Sequence, residues 1–150
     1  MKKEIEKLIQ EKSKGSELLI LTIRGSRAYG TEIETSDTDY SGVYIQSLED
    51  ILGYGYKPQI NDDNNDIILY EVGRFLELIS ESKTNVLEQL NTPNDCFVYK
   101  HPLFDDILKH KDIFVTKKCY SSFYHYAKTQ LHKAKSLDKK RNWEKEKKEK

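Results

Sequence analysis

Two stretches of the sequence hold side chains whose types and spacing could do chemistry. Gly25-Ser26-Arg27-Ala28-Tyr29-Gly30-Thr31 comes directly after an apolar run, and Ser36-Asp37-Thr38-Asp39-Tyr40-Ser41-Gly42-Val43 follows across a polar loop. Asp37 and Asp39 are separated by one residue. On an extended strand, positions i and i+2 share a face and lie about 6.6 Å apart. Two carboxylates so placed can share divalent cations, and paired ions ~3.5–4 Å apart clamp both oxygens of a displacement. Mg²⁺ is usually held by a couple of carboxylates together with substrate phosphates. Gly25 lacks a Cβ, so backbone N–H groups there can approach a phosphate closely. Ser26 adds a hydroxyl donor, Arg27 adds charge, and a helical turn starting here would favour an anion. A phosphate cradle on one strand and a carboxylate pair on the next suit a nucleoside triphosphate with Mg²⁺.

Neither half is specific alone: most Gly-Ser turns are only turns, and most Asp-x-Asp pairs are solvated. Their conjunction, a strand, then Gly-Ser, then about ten residues, then Asp-x-Asp and an apolar strand, is far rarer. A calcium loop is the rival motif, since Gly42 falls sixth from Asp37. Its twelfth position is Leu48 instead of a bidentate Glu, and no helix precedes Asp37, so that reading fails. Residues 31–66 carry nine acids against the single base Lys57. Such a density in a folded cleft favours bound cations, although a solvated acidic surface has the same composition.

These residues need elements to hold them. Ile5, Leu8 and Ile9 at helical spacing predict a helix over 2–14, capped at Gly15. Leu18–Ile23 reads as a buried strand, Asp39–Ile45 as a second and Asp66–Tyr70 as a third, with a loop and at most one helical turn over 27–37. Asp50–Lys57 reads as irregular, and Asn61–Asn65 as the polar tip of a hairpin. Phe75, Leu76 and Ile79 predict a helix to about Ser82; Val86, Leu87 and Leu90 predict a short one ending at Asn91. Cys96–Tyr99 reads as a brief strand or extended link, and Pro102 opens a helix through His110. Tyr120, Phe123, Tyr124, Ala127 and Leu131 define one face of a long helix over 116–137, before a Lys139–Lys150 charge run. Strands first and helices after predict an α+β fold, a small mixed β-sheet with helices packed mainly on one side and C-terminal helices beyond it. The expected division is a domain over 1–115 and a C-terminal helix with a charged tail over 116–150.

Composition bounds the rest. The 150 residues suit one core, and 37% hydrophobic with 11% aromatic residues is too apolar for a disordered chain. Basic and acidic residues balance at 25 each, so net charge selects no partner. No apolar run is long enough to span a membrane, and the amphipathic start is not a signal peptide. Cys96 and Cys119 form neither a CxxC nor a Cys/His cluster, which fits a reducing cytoplasm. Lys83, Lys109, Lys111, Lys117, Lys118, Lys128, Lys133 and Lys135 make the second half basic; they read first as a solvated face and second as a surface for a polynucleotide. Tyr120, Phe123, Tyr124 and Tyr126 are expected in the core, with base stacking as the alternative. His125 and His132 are too far apart for a joint metal site. Arg74 could reach phosphate or pair with Glu77 or Asp66.

Read together, the glycine-serine stretch and the Ser36–Val43 stretch resemble the DNA polymerase beta-type nucleotidyltransferase superfamily. They are most similar to the nucleotidyltransferases associated with RNA-repair ligases. Ala28-Tyr29-Gly30-Thr31 and Asp39-Tyr40-Ser41-Gly42-Val43 point to that group, as do Asp66-Ile67-Ile68-Leu69-Tyr70-Glu71-Val72 and Val86-Leu87-Glu88-Gln89-Leu90, so the resemblance spans about residues 15–135. It implies the polymerase beta-like fold and transfer of a nucleoside monophosphate from an NTP to a hydroxyl, with an RNA end as acceptor and pyrophosphate released. It also implies Mg²⁺ or Mn²⁺ held by Asp37, Asp39 and a third carboxylate on a later strand. Asp66, opening an apolar strand, is preferred for that role; Glu71, at a helix start, is second. Gly25 and Ser26, with Arg27, would hold the phosphates. Relatives continue into a larger helical domain, so a partner supplying that part is expected unless the chain is a shortened member or a fragment. The contrasting expectation is an interaction module that keeps the fold without turnover, either antitoxin-like or a regulatory nucleotide binder.

Overall fold

The computed structural model describes residues 1–148, with side chains through residue 136, so the Lys139–Lys150 charge run lies largely outside the described residues. Five strands form one mixed sheet, β1 (Glu17–Arg24), β2 (Asp39–Ile45), β3 (Gln59–Asn61), β4 (Ile67–Glu71) and β5 (Phe97–Lys100), in the order β3-β4-β2-β1-β5. β2 pairs parallel with β4; the other three pairings are antiparallel. The α+β expectation holds. Helices α4 (Val72–Ser80) and α5 (Thr84–Leu90) cover one face, joined by α6 (Asp105–Lys109) and the start of α7 (Lys117–Lys148). Helix α1 (Lys2–Lys12) covers the other face.

Two apolar layers follow from strand alternation. Ile20, Val43 and Tyr70 meet Phe75, Ile79, Val86 and Leu90 on the α4/α5 side. Leu18, Leu21, Tyr44 and Leu69 meet Ile5 and Ile9 of α1 on the other. Gly42 lies at the crossing of β1, β2 and β4. A Cβ there would stand 2.7 Å from both the Ile20 carbonyl oxygen and Leu69 Cδ2, which is why the central strand has no side chain at that point.

Several boundaries differ from the sequence reading. α1 stops at Ser13 instead of Gly15, because Ser13 and Ser16 share a buried hydroxyl contact of 2.8 Å that turns the chain early. Residues 48–52 form a short helix, α3 (Leu48–Leu52), capped by the Ser47 hydroxyl, where irregular chain was expected. The Asn61–Asn65 turn is a hairpin tip as read, and Gln59–Asn61 supplies the strand before it. The largest departure is α7. Tyr120, Phe123, Tyr124 and Tyr126 are exposed and not in the core; among the described residues of that helix, only Cys119 is buried. Their neighbours on α4 and α5 already fill the core, so the aromatic row has no apolar surface to meet among the described residues.

Candidate active site

Three strand ends meet at one rim of the sheet. β1 ends at Arg24, β2 begins at Asp39, and these two residues are paired in register. Tyr40 pairs with Ile67 across the parallel ladder, and the Tyr40 amide donates to the Asp66 carbonyl at 2.7 Å. Asp66 therefore stands one step before β4, level with Asp39. Alternation places Asp39 on the face of Ser41 and Val43, and Asp66 on the face of Ile68 and Tyr70, the α4/α5 side of the sheet in both cases. Both side chains are half-buried, and Asp37, two residues before Asp39, is exposed.

The glycine-serine turn abuts this rim. Gly25 has φ 72 and precedes a single helical turn, α2 (Ser26–Tyr29), which Gly30 ends at φ 64. A Cβ on Gly25 would lie 2.8 Å from Asp39 Oδ2. The left-handed backbone favours glycine, and a Cβ there would push the Asp39 carboxylate aside. Thr31 N–H closes the turn by donating to the Ser26 carbonyl at 2.9 Å. The Ser26 hydroxyl itself has no hydrogen-bond partner among the described residues. Arg27 is exposed and its guanidinium donates to the Ser36 carbonyl at 3.0 Å, bracing the loop that leads to Asp37.

Arg24 was not singled out from sequence, yet it reaches the Asp39 carboxylate. Its Nη2 lies 3.8 Å from Asp39 Oδ1 and donates to the Asn65 carbonyl at 3.2 Å, while its Nε is buried without a partner. Its position directly before Gly25, at the end of an apolar strand, was the available clue. Below the rim, Ser41 donates to Gln89 Oε1 at 2.9 Å, and Asn85 donates to the Tyr70 hydroxyl at 2.9 Å. Asn85 and Gln89 are one helical turn apart on α5, so a polar seam runs along an otherwise apolar contact. Gln89 Nε2 is buried and unpartnered. Glu88, on the same helix, stands beside the Tyr29 hydroxyl of α2; burial first, then that carboxylate, pushes the phenol up to about 12.

Glu71, the second choice for a third carboxylate, is placed differently. It lies five residues beyond Asp66 and pairs with Tyr44, which is packed on the α1 side. Its buried carboxylate caps α4, accepting from the amides of Gly73 at 2.6 Å and Arg74 at 3.3 Å. Burial and then Glu71 raise the pKa of the nearby Tyr56 hydroxyl. Arg74 turns away from the rim and pairs with Glu77 at 2.5 Å.

Asp37, Asp39 and Asp66 are hard oxygen donors of the kind Mg²⁺ takes, and Asp39 borders a glycine cradle, so the donor set fits a divalent cation. As the side chains stand, however, no three carboxylate, imidazole or thiol groups among the described residues are gathered closely enough to hold one. Like charges without a counter-cation disfavour such gathering. No described helix is long and apolar enough to cross a membrane. In comparison with known proteins, the family model for the RNA repair pathway DNA polymerase beta family, RlaP, matches residues 1–148. No curated protein and no solved structure matches the chain.

Proposed function

The chain belongs to the RNA repair pathway DNA polymerase beta family, and from that premise we propose that it is a metal-dependent nucleotidyltransferase. It transfers a nucleoside monophosphate from an NTP to a hydroxyl, with an RNA end as acceptor. The new bond joins the hydroxyl oxygen to the α-phosphorus, the α–β bridging bond breaks, and pyrophosphate leaves. The observation that carries this reading is how close Gly25 lies to Asp39, since a Cβ placed on Gly25 would stand 2.8 Å from Asp39 Oδ2, which supports a phosphate turn and a metal-binding carboxylate sharing one surface.

Asp37, Asp39 and Asp66 would hold Mg²⁺ or Mn²⁺. Such an ion, when bound, neutralises charge that develops on the transferring phosphoryl group. The Ser26 hydroxyl and the backbone at Gly25 donate to the β- and γ-phosphate oxygens, and Arg27 adds charge at the mouth. Asp66, level with Asp39, takes the proton from the acceptor hydroxyl. Positioning and electrostatics of this kind supply most of the catalysis in such transfers.

An RNA acceptor is supported by α7. Lys117, Lys118, Lys128, Lys133 and Lys135 are exposed there, and no acid occurs from Ile113 through Leu137. Phosphates need such cations, and the exposed, mutually stacked rings of Tyr120 and Tyr124 offer faces for bases. We take residues 1–115 as the transferase unit and 116–150 as a C-terminal helix with a charged tail. Two buried, free cysteines suit a reducing compartment, the cytoplasm.

The test is incubation with labelled NTPs, Mg²⁺ or Mn²⁺, and RNA acceptors. Pyrophosphate release that disappears in Asp37→Ala and Asp39→Ala is expected. Its absence with every combination of nucleotide, metal and acceptor overturns the enzyme reading. The ungathered carboxylates favour one second reading, an interaction module of antitoxin or regulatory nucleotide-binding type. That module would keep its partner affinity in both variants.

A further inference from the structure

We propose that Arg24 is the resident counter-ion of the carboxylate rim, competing with the divalent cation for Asp39 and so lowering the metal affinity of the site until substrate arrives. This rests on the nucleotidyltransferase reading and goes beyond it, because Arg24 belongs to neither the phosphate turn nor the carboxylate set.

The geometry is that of a displaceable partner. Charge-assisted Arg–carboxylate bonds run about 2.7–2.9 Å and are commonly bidentate. Arg24 instead meets Asp39 through one nitrogen at 3.8 Å, with both side chains more than a third exposed. The same Nη2 donates at 3.2 Å to the carbonyl of Asn65, the residue before Asp66. The arm thus starts on β1, passes Asp39 at the head of β2 and ends beside the head of β4. Its positive charge lies between Asp39 and the chain just before Asp66. Meanwhile Nε is buried with nothing to donate to. A guanidinium fixed for structural reasons would have its donors satisfied; this one makes one long ion pair, one carbonyl contact and leaves a buried donor idle.

The consequence is electrostatic. A monovalent cation a few ångströms from a carboxylate repels an arriving divalent one and occupies its ligand. Removing the guanidinium charge should therefore raise metal affinity, whereas removing a merely structural strand-end residue should leave it unchanged or lower it.

The experiment uses the full chain without nucleotide. Mn²⁺ binding is followed by the paramagnetic resonance of the free ion, for wild type, Arg24→Gln, Arg24→Lys and Asp39→Asn. Arg24→Gln is expected to bind Mn²⁺ about tenfold tighter, roughly 1.4 kcal/mol, with Arg24→Lys closer to wild type. In a folded Arg24→Gln, unchanged or weaker binding overturns the proposal. A second measurement needs no charge-removing variant. The sequence has four arginines, so their Nε–H resonances are few enough to follow individually, and Arg24→Lys identifies the Arg24 signal by its loss. Titrating wild type with Mg²⁺ should shift that signal and spare Arg74, which is paired elsewhere; a stationary Arg24 signal overturns the proposal. The two readings separate cleanly. Mn²⁺ binding lost in Asp39→Asn but indifferent to Arg24→Gln removes the counter-ion and leaves the transferase. Failure of every form to bind Mn²⁺ removes both.

Discussion

Strand β4 carries an acid at each end, and the two have opposite fates. Asp66 precedes the strand, half-buried at the rim, and its carboxylate has no hydrogen-bond or ion-pair partner among the described residues. Glu71 closes the strand, 2% exposed, with its carboxylate held by two amides of α4. Five positions of alternation send them to opposite faces of the sheet. The buried acid is tolerable because capping satisfies it; the rim acid is tolerable because water still reaches it. An engaged carboxylate holds the fold together, and an unengaged one remains able to bind a cation or take a proton. Asp37 falls with Asp66 by this criterion, and Asp39 lies between, in loose contact with Arg24.

The strongest way to break this contrast is to neutralise the rim. Asp39→Asn and Asp37→Ala should each lower nucleotidyl transfer by about 10³-fold, the upper range for losing one preorganised electrostatic group, with the thermal midpoint little changed. Pyrophosphate release and a melting curve on the same preparations decide it. If either variant melts early and keeps its activity per folded molecule, the rim is structural.

The two ends of β4 should then separate. Asp66→Asn is expected to cost about 10²-fold in rate with stability retained. Glu71→Ala should instead lose roughly 1–2 kcal/mol of stability, as for other helix caps, while transfer per folded molecule persists. Denaturant titration alongside the activity assay reads both. The reverse outcome would make Glu71 the third carboxylate.

A smaller effect is expected at the joint between turn and rim. Gly25→Ala would force an L side chain into φ 72 and place a Cβ 2.8 Å from Asp39 Oδ2. Strain of this sort costs about 1–3 kcal/mol. Because the clash falls on the carboxylate, Mn²⁺ affinity should drop with stability. Gly30→Ala shares the positive φ without any nearby atom, so it should lower stability alone.

How much of this was legible in the sequence depends on range. Asp37, Asp39, Gly25 and Ser26 could be nominated from sequence because the pattern is local, an acid pair spaced by two and a glycine after an apolar run; the strand itself starts only at Asp39, so Asp37 stands in the loop before it. The three longest strands were readable for the same reason. Asp66 needed the parallel pairing of β2 with β4, a contact no local pattern encodes, and only the resemblance supplied it. Arg24 and Gln89 were missed because each looks ordinary in its segment; the register of β1 with β2 and the seat of α5 over Ser41 give them their neighbours. The aromatic row of α7 was misplaced since periodicity defines a face without saying whether another element covers it. Gln59–Asn61 was too short to announce itself and is a strand only through β4.

The faintest expected effect concerns an acid engaged at the surface. Glu88 stands beside the Tyr29 hydroxyl, joining α5 to the helical turn that follows Gly25. The phenol's pKa is raised to about 12, by burial first and Glu88 second. Since the folded value exceeds the ordinary one, the neutral phenol is favoured in the folded chain. The contact is therefore intact below about pH 10, the unperturbed phenol value, and is lost as pH rises through about 12. At neutral pH it is silent, and Tyr29→Phe should leave transfer nearly unchanged. Glu88→Gln should bring phenolate absorbance in earlier on an alkaline titration, and in the Tyr29→Phe background the same change should do nothing. Tyr29 is 61% exposed, so solvent screens the pair and the accompanying change in stability should be slight. An alkaline titration indifferent to Glu88→Gln would mean that burial alone sets the Tyr29 phenol. Glu88 would then join Asp37 and Asp66 as an unengaged acid near the rim, and the division between acids that hold the fold and acids that serve the site would have to be redrawn to include α5.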